Sequence, residues 1–295
     1  MISLKGIFPP IPTPFDSDEA IDFDRLKSNL ARWNGWPLDG YVVAGSTGES
    51  VSLSGTERVD LVRAVRSVLP RGKLLIAGAG LESTRATIEL VGRMADAGAD
   101  AVIVVTPGYF APSVRPAGLV AHYRAIAAAS SLPVILYSVP VYTHLDLPIE
   151  VVRELAAYPK VVGIKESGGS LAKITSLVDQ TPQDFQVLVG SAGLLLGALM
   201  VGAVGCVPAL GNLATSQIHD LMSAVQRGEL ALAREIQVKL VEPNELLTVR
   251  FGVAGVKAAL DLVGLYGGPP RSPLQQLDEA ELAILRAGLG RGGLI

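Results

Sequence analysis

The residue with the clearest potential for chemistry is a lysine that ends a short apolar run. Lys165 follows the apolar residues 161–164, and glycines at 168 and 169 interrupt any continuation of the strand that they predict. Such a lysine either extends its ammonium group to water or lies in a pocket where loss of water favours the neutral amine. A neutral amine is a nucleophile for carbonyl carbon. The run alone favours a lysine that extends into water, so evidence for a reactive amine has to come from other residues.

Three further features follow predicted strands. The turn at residues 45–49, Gly-Ser-Thr-Gly-Glu, offers backbone N–H groups and the hydroxyls of Ser46 and Thr47. Turns of this kind bind anions, including carboxylates. The five residues alone are equally consistent with a structural glycine turn that makes only local hydrogen bonds. Tyr109 and Tyr137 follow two other strands, and a phenol can pass protons to and from a reacting group.

These residues together predict Schiff-base catalysis on a ketone. The amine of Lys165 would attack the ketone, and the resulting iminium would draw electrons from a neighbouring C–C bond as it breaks. We expect no cofactor, because the pair Gly78 and Gly80 lacks the third glycine of a dinucleotide fingerprint. We also expect no metal, because the three histidines are scattered without paired carboxylates.

Composition excludes several other classes of protein. The chain has 295 residues, 49% of them hydrophobic and 18% charged, with a net charge of −3. Without a basic cluster, a nucleic-acid partner has little to contact. Neither a signal sequence at the start nor a run of eighteen apolar residues is present, so we expect a cytoplasmic protein without membrane contact. Cys206 lies in an apolar run and is expected to be buried.

The elements that must position these side chains alternate along the chain. Eight short apolar runs alternate with longer helical patterns, and the runs lie at residues 7–12, 41–44, 73–77, 101–105, 133–137, 161–165, 186–189 and 204–207. Strands that are apolar on both faces indicate a parallel sheet covered by helices. The sequence therefore predicts an α/β fold, the (β/α)8 TIM barrel, which carries its chemistry at the carboxyl ends of the strands.

The C-terminal part of the chain reads as helices only. Helical patterns at residues 216–227, 229–241, 253–263 and 279–286 are separated by Gly228, Pro243 and the Gly-Gly-Pro-Pro turn at 267–270. We predict a barrel over residues 1–225 and a helical extension over residues 226–295 that packs on it.

Four ordered motifs resemble the dihydrodipicolinate synthase/N-acetylneuraminate lyase family of class I aldolases. They lie at residues 45–49, 106–109, 136–140 and 163–167. The resemblance implies that Lys165 forms the Schiff base with pyruvate or another 2-oxo acid and that Tyr137 relays protons. Ser46 and Thr47 would hold the substrate carboxylate, and Tyr109 would reach into the site of a neighbouring subunit. Because the family is usually tetrameric, we expect a homotetramer built as a dimer of dimers.

Within this family, other stretches resemble the 4-hydroxy-2-oxoglutarate aldolases of the mitochondrial animal type. These stretches include residues 184–188, 190–193, 266–269 and 272–275. That branch cleaves its substrate to pyruvate and glyoxylate, and the resemblance implies that Ser167 and Gly190 contact the substrate.

Departures from the family patterns bear on specificity. In the synthases an arginine after the Tyr-Asn-Val-Pro segment grips the second substrate, whereas Tyr142 stands at that place here and is expected to contact the substrate. Thr47 is closer to the synthase pattern than to the aldolase branch, which has asparagine there. His144 replaces a glycine of that branch, and we interpret it as a surface loop residue.

Three hypotheses for function follow. The first is a class I aldolase that cleaves a 4-hydroxy-2-oxo acid, best 4-hydroxy-2-oxoglutarate, to pyruvate and an aldehyde. The second keeps the fold but changes the reaction, either to condensation of pyruvate with aspartate semialdehyde or to cleavage or dehydration of a 2-keto-3-deoxy sugar acid. The third is a non-catalytic protein that binds a 2-oxo acid, against which the presence of both Lys165 and Tyr137 counts.

Overall fold

The computed structural model describes residues 2–295 and contains a barrel of eight parallel strands. The strands are β1 (Gly6–Ile7), β2 (Gly40–Val43), β3 (Leu74–Gly78), β4 (Ala101–Val105), β5 (Val134–Ser138), β6 (Val161–Glu166), β7 (Gln186–Val189) and β8 (Gly205–Cys206). Consecutive strands from β2 to β8 pair in parallel, and β1 pairs with β8. A parallel bridge between Pro10 and Val42 closes the ring. The predicted (β/α)8 barrel is confirmed.

Within residues 2–295, twelve α-helices cover the barrel and extend the chain beyond it. They are α1 (Phe23–Trp33), α2 (Gly55–Val68), α3 (Thr84–Asp96), α4 (Pro116–Ala129), α5 (Pro140–Thr143), α6 (Ile149–Ala156), α7 (Leu171–Gln180), α8 (Leu195–Met200), α9 (Thr215–Gln226), α10 (Leu230–Glu245), α11 (Gly252–Leu262) and α12 (Glu279–Arg291). Side chains stop several of them from fraying: Ser54 and Glu57 form a capping box at α2, and Ser170 accepts the Lys173 N–H at α7.

Alternation along each strand separates two cores and decides which side chains face the barrel interior. In β5, Val134 and Leu136 pack outward among the helices, whereas Ile135 and Tyr137 pack inside the barrel. Strict alternation would put Val162 and Lys165 on opposite faces. The pairing of β5 with β6 shifts register at this point, from Val134–Val161 to Ile135–Gly163, so β6 has one extra residue there. Beyond the shift, Lys165 is in register with the interior Tyr137. The barrel thus carries a lysine and a tyrosine side by side at its carboxyl end.

Two local predictions are wrong. Pro243 does not separate two helices but lies inside α10, which continues through a π-helical turn at Leu246–Arg250. Its buried ring packs close to Gly292, next to the end of α12. The first strand is shorter than predicted, since prolines at 9, 10 and 12 provide no N–H groups for a ladder.

The C-terminal helices pack against the barrel and against one another. Asn244 of α10 accepts the Ala192 N–H (3.1 Å), and Gln237 of the same helix accepts the Leu196 N–H (2.7 Å), so α10 holds the segment after β7. The division into barrel and extension at residue 225 stays a prediction. Within residues 2–295 no helix is both long and apolar enough to cross a membrane.

Candidate active site

Lys165 and Tyr137 form the centre of the site. Their Cα atoms are paired in register between β6 and β5, and Lys165 Nζ lies 4.0 Å from the centroid of the Tyr137 ring. Lys165 is 5% exposed and Tyr137 is 6% exposed. The sequence alone allowed the Lys165 side chain to extend into water or to lie in a pocket. The structure shows that it lies in a pocket, with its nitrogen over the aromatic face of Tyr137.

The hydroxyl-rich turn lies on the other side of the tyrosine. Ser46 Oγ is 3.4 Å from the Tyr137 hydroxyl, which connects the turn after β2 to the end of β5. Thr47 is partly buried in the same turn. Two non-glycine residues with left-handed backbones bracket it, Ala44 with φ +54° and Glu49 with φ +57°. Backbone conformations of this kind are uncommon for such residues and concentrate at functional sites.

Ser167 and Gly190 are in direct contact, one strand further round the barrel. The Ser167 N–H donates to the Ser138 carbonyl (2.9 Å), and the Gly190 N–H donates to the Glu166 carbonyl (2.8 Å). A Cβ atom on Gly190 would lie 1.9 Å from Ser167 Oγ. Glycine at 190 is therefore what leaves room for the serine side chain.

A charged network that the sequence analysis missed lies beside Lys165. The buried Glu166 carboxylate is 2.8 Å from Lys173 Nζ, and Lys173 also pairs with Asp146. The Ser138 hydroxyl donates to the Asp146 carboxylate at 2.8 Å. Burial raises the pKa of Asp146, but the hydrogen bonds from Lys173 and Ser138 outweigh this effect, and the pKa is lowered. The strand register of Glu166 gave one signal, because a charged residue next to an inward-facing lysine has to point outward and be paired.

The remaining predicted site residues lie at the rim of the barrel. Tyr109 is 80% exposed, and the carboxylate of Glu82 accepts the N–H groups of Gly108 and Tyr109 at 3.2 and 3.0 Å. Tyr142, in α5, is 54% exposed, and partial burial followed by its proximity to Tyr137 raises its pKa. His144 is exposed with a left-handed backbone that ends α5, as expected for a surface loop residue.

This arrangement can perform one kind of chemistry particularly well. A buried amine can attack a carbonyl group, the adjacent phenol can move protons, and a turn with free hydroxyls can hold a carboxylate. All three groups lie at the carboxyl ends of barrel strands, where barrel enzymes react. Fold and site together define a barrel enzyme of the class I aldolase type, a class whose members form imines with their substrates.

Comparisons with known proteins identify the family. The model of the Dihydrodipicolinate synthetase family matches residues 3–290, and the chain belongs to this family. The 4-hydroxy-tetrahydrodipicolinate synthase of Archaeoglobus fulgidus is 37% identical over 277 residues, which cover 93% of each chain. That of Methanosarcina mazei is 35% identical over 294 residues and 99% of each chain.

Solved structures agree with this assignment. The dihydrodipicolinate synthase of Bacillus anthracis superimposes with a TM-score of 0.94 at 33% identity, covering 98% of this chain and 99% of the other. The chloride-inhibited synthase of Acinetobacter baumannii, complexed with pyruvate, gives a TM-score of 0.94 at 31% identity, covering 99% of this chain and all of the other. Membership of this family confirms two predictions from the sequence, namely the family itself and that the protein is a lyase. The names of these relatives are those of synthases, not of 4-hydroxy-2-oxoglutarate aldolases.

Proposed function

We propose that the chain is a pyruvate-dependent lyase in which Lys165 forms an imine with the 2-oxo group of pyruvate. The observation that carries the proposal is the position of Lys165 Nζ, buried and 4.0 Å from the centroid of the Tyr137 ring. The pyruvate complex of the Acinetobacter baumannii relative supports the choice of 2-oxo acid.

Each neighbouring residue then has a role. Lys165 Nζ attacks C2 of pyruvate, and the Tyr137 hydroxyl donates the proton with which the carbinolamine oxygen leaves as water. Ser46 and Thr47 hold the pyruvate carboxylate through their hydroxyls and the N–H groups of the turn. The Tyr137 phenolate left by the loss of water takes a C3 proton, which gives an enamine that attacks an aldehyde, and the reverse sequence cleaves the product. Ser167, beside Gly190, contacts the part of the substrate beyond C3.

The relatives support condensation with aspartate semialdehyde better than the predicted cleavage of 4-hydroxy-2-oxoglutarate. The two relatives from Archaeoglobus and Methanosarcina are named 4-hydroxy-tetrahydrodipicolinate synthases and align over nearly the whole chain. We therefore place the synthase reaction first among the candidates for the second substrate.

Cleavage of 4-hydroxy-2-oxoglutarate stays the second candidate because of Tyr142. The expected synthase pattern has an arginine at this place, which binds a carboxylate through up to five donors, whereas a phenol offers one. Tyr142 is 54% exposed, and Tyr137 contributes to the raised pKa of its hydroxyl. The missing arginine counts against the synthase reaction, and this argument keeps cleavage of 4-hydroxy-2-oxoglutarate as the second candidate.

Steady-state kinetics separate the candidates. The purified protein would be given pyruvate with aspartate semialdehyde, 4-hydroxy-2-oxoglutarate alone, and a 2-keto-3-deoxy sugar acid alone. The synthase proposal expects kcat/KM with aspartate semialdehyde to exceed the other values by at least about tenfold, or about 1.4 kcal/mol in the transition state. A tenfold excess for 4-hydroxy-2-oxoglutarate would replace the first candidate by the second.

Assembly belongs to the same proposal. Tyr109 and its edge-to-face neighbour Phe110 are exposed in the single chain, and we propose that Tyr109 completes the proton relay of an adjoining subunit in a homotetramer. Sedimentation of the wild-type protein should give the mass of four chains. Tyr109→Ala should lower kcat, and a mixture of Tyr109→Ala and Lys165→Ala proteins, after reassembly, should be more active than either variant alone. A fully active monomer would contradict the proposal.

A further inference from the structure

The turn that carries Ser46 is anchored from the far end of the chain. The buried carboxylate of Glu49 has one oxygen, Oε1, 2.6 Å from Lys257 Nζ in α11. Its other oxygen, Oε2, accepts the backbone N–H of Arg271 at 2.8 Å. Lys257 and the Glu49 side chain are each 1% exposed. Both oxygens of this carboxylate are therefore occupied by groups from the C-terminal helical region.

Glu49 is also part of the turn itself. Its N–H donates to the Ser46 carbonyl at 3.0 Å, and the next N–H, that of Ser50, donates to the Gly45 carbonyl at 3.2 Å. Its left-handed backbone is one that residues with side chains seldom adopt. The surrounding structure has to hold such a conformation, and the side-chain contacts of Glu49 are part of that structure.

The groups that hold Glu49 are themselves fixed. Lys257 Nζ donates to the Pro269 carbonyl at 2.7 Å and lies 4.4 Å from the centroid of the Phe15 ring. Burial lowers the pKa of Lys257, and the Glu49 carboxylate opposes this effect. The Arg271 side chain donates to the Ser52 carbonyl at 2.8 Å, on the other side of the turn. A buried ion pair is weak evidence for stability, and its best supported role is to specify one arrangement.

We infer that Glu49 and Lys257 are positioning residues, which hold the Ser46 turn in the geometry that binds the substrate carboxylate. The inference rests on the proposed function and deepens it, because it assigns the C-terminal helical region a role in substrate binding. The residues do not touch the substrate. They act through the backbone between Ser46 and Glu49.

Borohydride trapping with two ketones tests this inference. Pyruvate carries a carboxylate, whereas hydroxyacetone is a neutral ketone of similar size, and both can form an imine with Lys165. The variant is Glu49→Gln together with Lys257→Met, which removes both charges at once and leaves none buried alone. The matched control is Glu242→Gln together with Arg291→Met, which removes an exposed ion pair from the same helical region. Thermal unfolding checks that each protein is folded.

We expect the pyruvate concentration for half-maximal labelling to rise about tenfold or more in the Glu49/Lys257 variant, since small displacements of a binding group are costly. The hydroxyacetone concentration and both values of the control should change less than about twofold. An equal rise for both ketones, or no rise for either, would overturn the inference while leaving the imine mechanism in place. If pyruvate does not label the wild-type protein at Lys165, the proposed function itself fails.

If the double variant does not fold, a second variant can be used for the same test. Arg271→Lys retains the positive charge and the backbone N–H but loses the planar group that reaches the Ser52 carbonyl. The same selective rise for pyruvate is expected, of smaller size. Equal behaviour of the two ketones in this variant would count against the inference in the same way.

Discussion

Replacement of Gly190 by alanine tests the contact between β6 and the segment after β7. The new Cβ would lie 1.9 Å from Ser167 Oγ, 2.9 Å from Ser167 Cβ and 3.3 Å from the Glu166 carbonyl oxygen. Rotation of the serine could relieve the first contact only. Because the second and third involve Cβ and backbone, the two segments have to separate by some tenths of an ångström, against the 2.8 Å hydrogen bond from Gly190 to Glu166. Overpacking of this kind costs about 1–3 kcal/mol.

Activity should fall together with stability, because the Ser167 hydroxyl loses its position. One net hydrogen bond is worth about 0.5–1.5 kcal/mol, which corresponds to a roughly 2- to 10-fold loss in kcat/KM. Urea unfolding and steady-state kinetics would measure the two effects. The control is Gly118→Ala in α4, where a Cβ meets no atom within 4 Å. It should be neutral or stabilise the helix by about 0.5–1 kcal/mol.

A second substitution shows whether the clash is the cause. Adding Ser167→Ala to Gly190→Ala removes the atom in closest contact, so the double variant should unfold at higher urea than Gly190→Ala alone. If Gly190→Ala is as stable and as active as the wild-type protein, the reasoning from this contact is refuted.

Further predictions concern the relay, the charged networks and specificity. Tyr137→Phe should lower kcat about 10²- to 10⁴-fold, because the ring beside Lys165 stays but the proton donor is lost; unchanged turnover would exclude the relay. Lys173→Met leaves the buried Glu166 carboxylate without its partner and should cost about 3–5 kcal/mol in urea unfolding, part of which Glu166→Gln should restore. The hydrogen bond from Arg271 lowers the pKa of Glu57 to about 2, so the pair stabilises the fold above the ordinary pKa of a glutamate, and this contribution is lost as the pH falls toward 2. Glu57→Gln should therefore be less stable than wild type by about 1 kcal/mol at pH 7, since the carboxylate is partly exposed, and equal to it near pH 2. Tyr142→Arg should raise kcat/KM for aspartate semialdehyde relative to 4-hydroxy-2-oxoglutarate about tenfold, and an unchanged ratio would show that this position does not select the second substrate.

The barrel and the centre of its site could be predicted from sequence because both depend on local patterns. Apolar runs such as residues 101–105 predict strands without knowledge of their partners, and the barrel places all strand ends at one mouth. Lys165 and Tyr137 each end such a run, so their proximity follows from the fold. The family resemblance was also readable from four local motifs.

Contacts between distant segments could not be predicted in this way. Nothing near Glu49 indicates that its carboxylate contacts Lys257 and the Arg271 backbone, which lie in the C-terminal helical region. Pro243 would end an isolated helix, and nothing in the local sequence indicates that α10 continues through it and that its ring packs close to Gly292. The fit of Ser167 against Gly190 likewise depends on how two strands lie side by side.

The central claim is that the amine of Lys165 forms an imine with pyruvate, and borohydride reduction followed by peptide mass spectrometry tests it most directly. The account predicts one pyruvate-derived addition per chain, on the peptide that contains Lys165, and none in Lys165→Met. The buried Lys257 and the paired Lys173 serve as internal controls and should remain unmodified. Label on another lysine, or an unlabelled wild-type protein, would contradict the account.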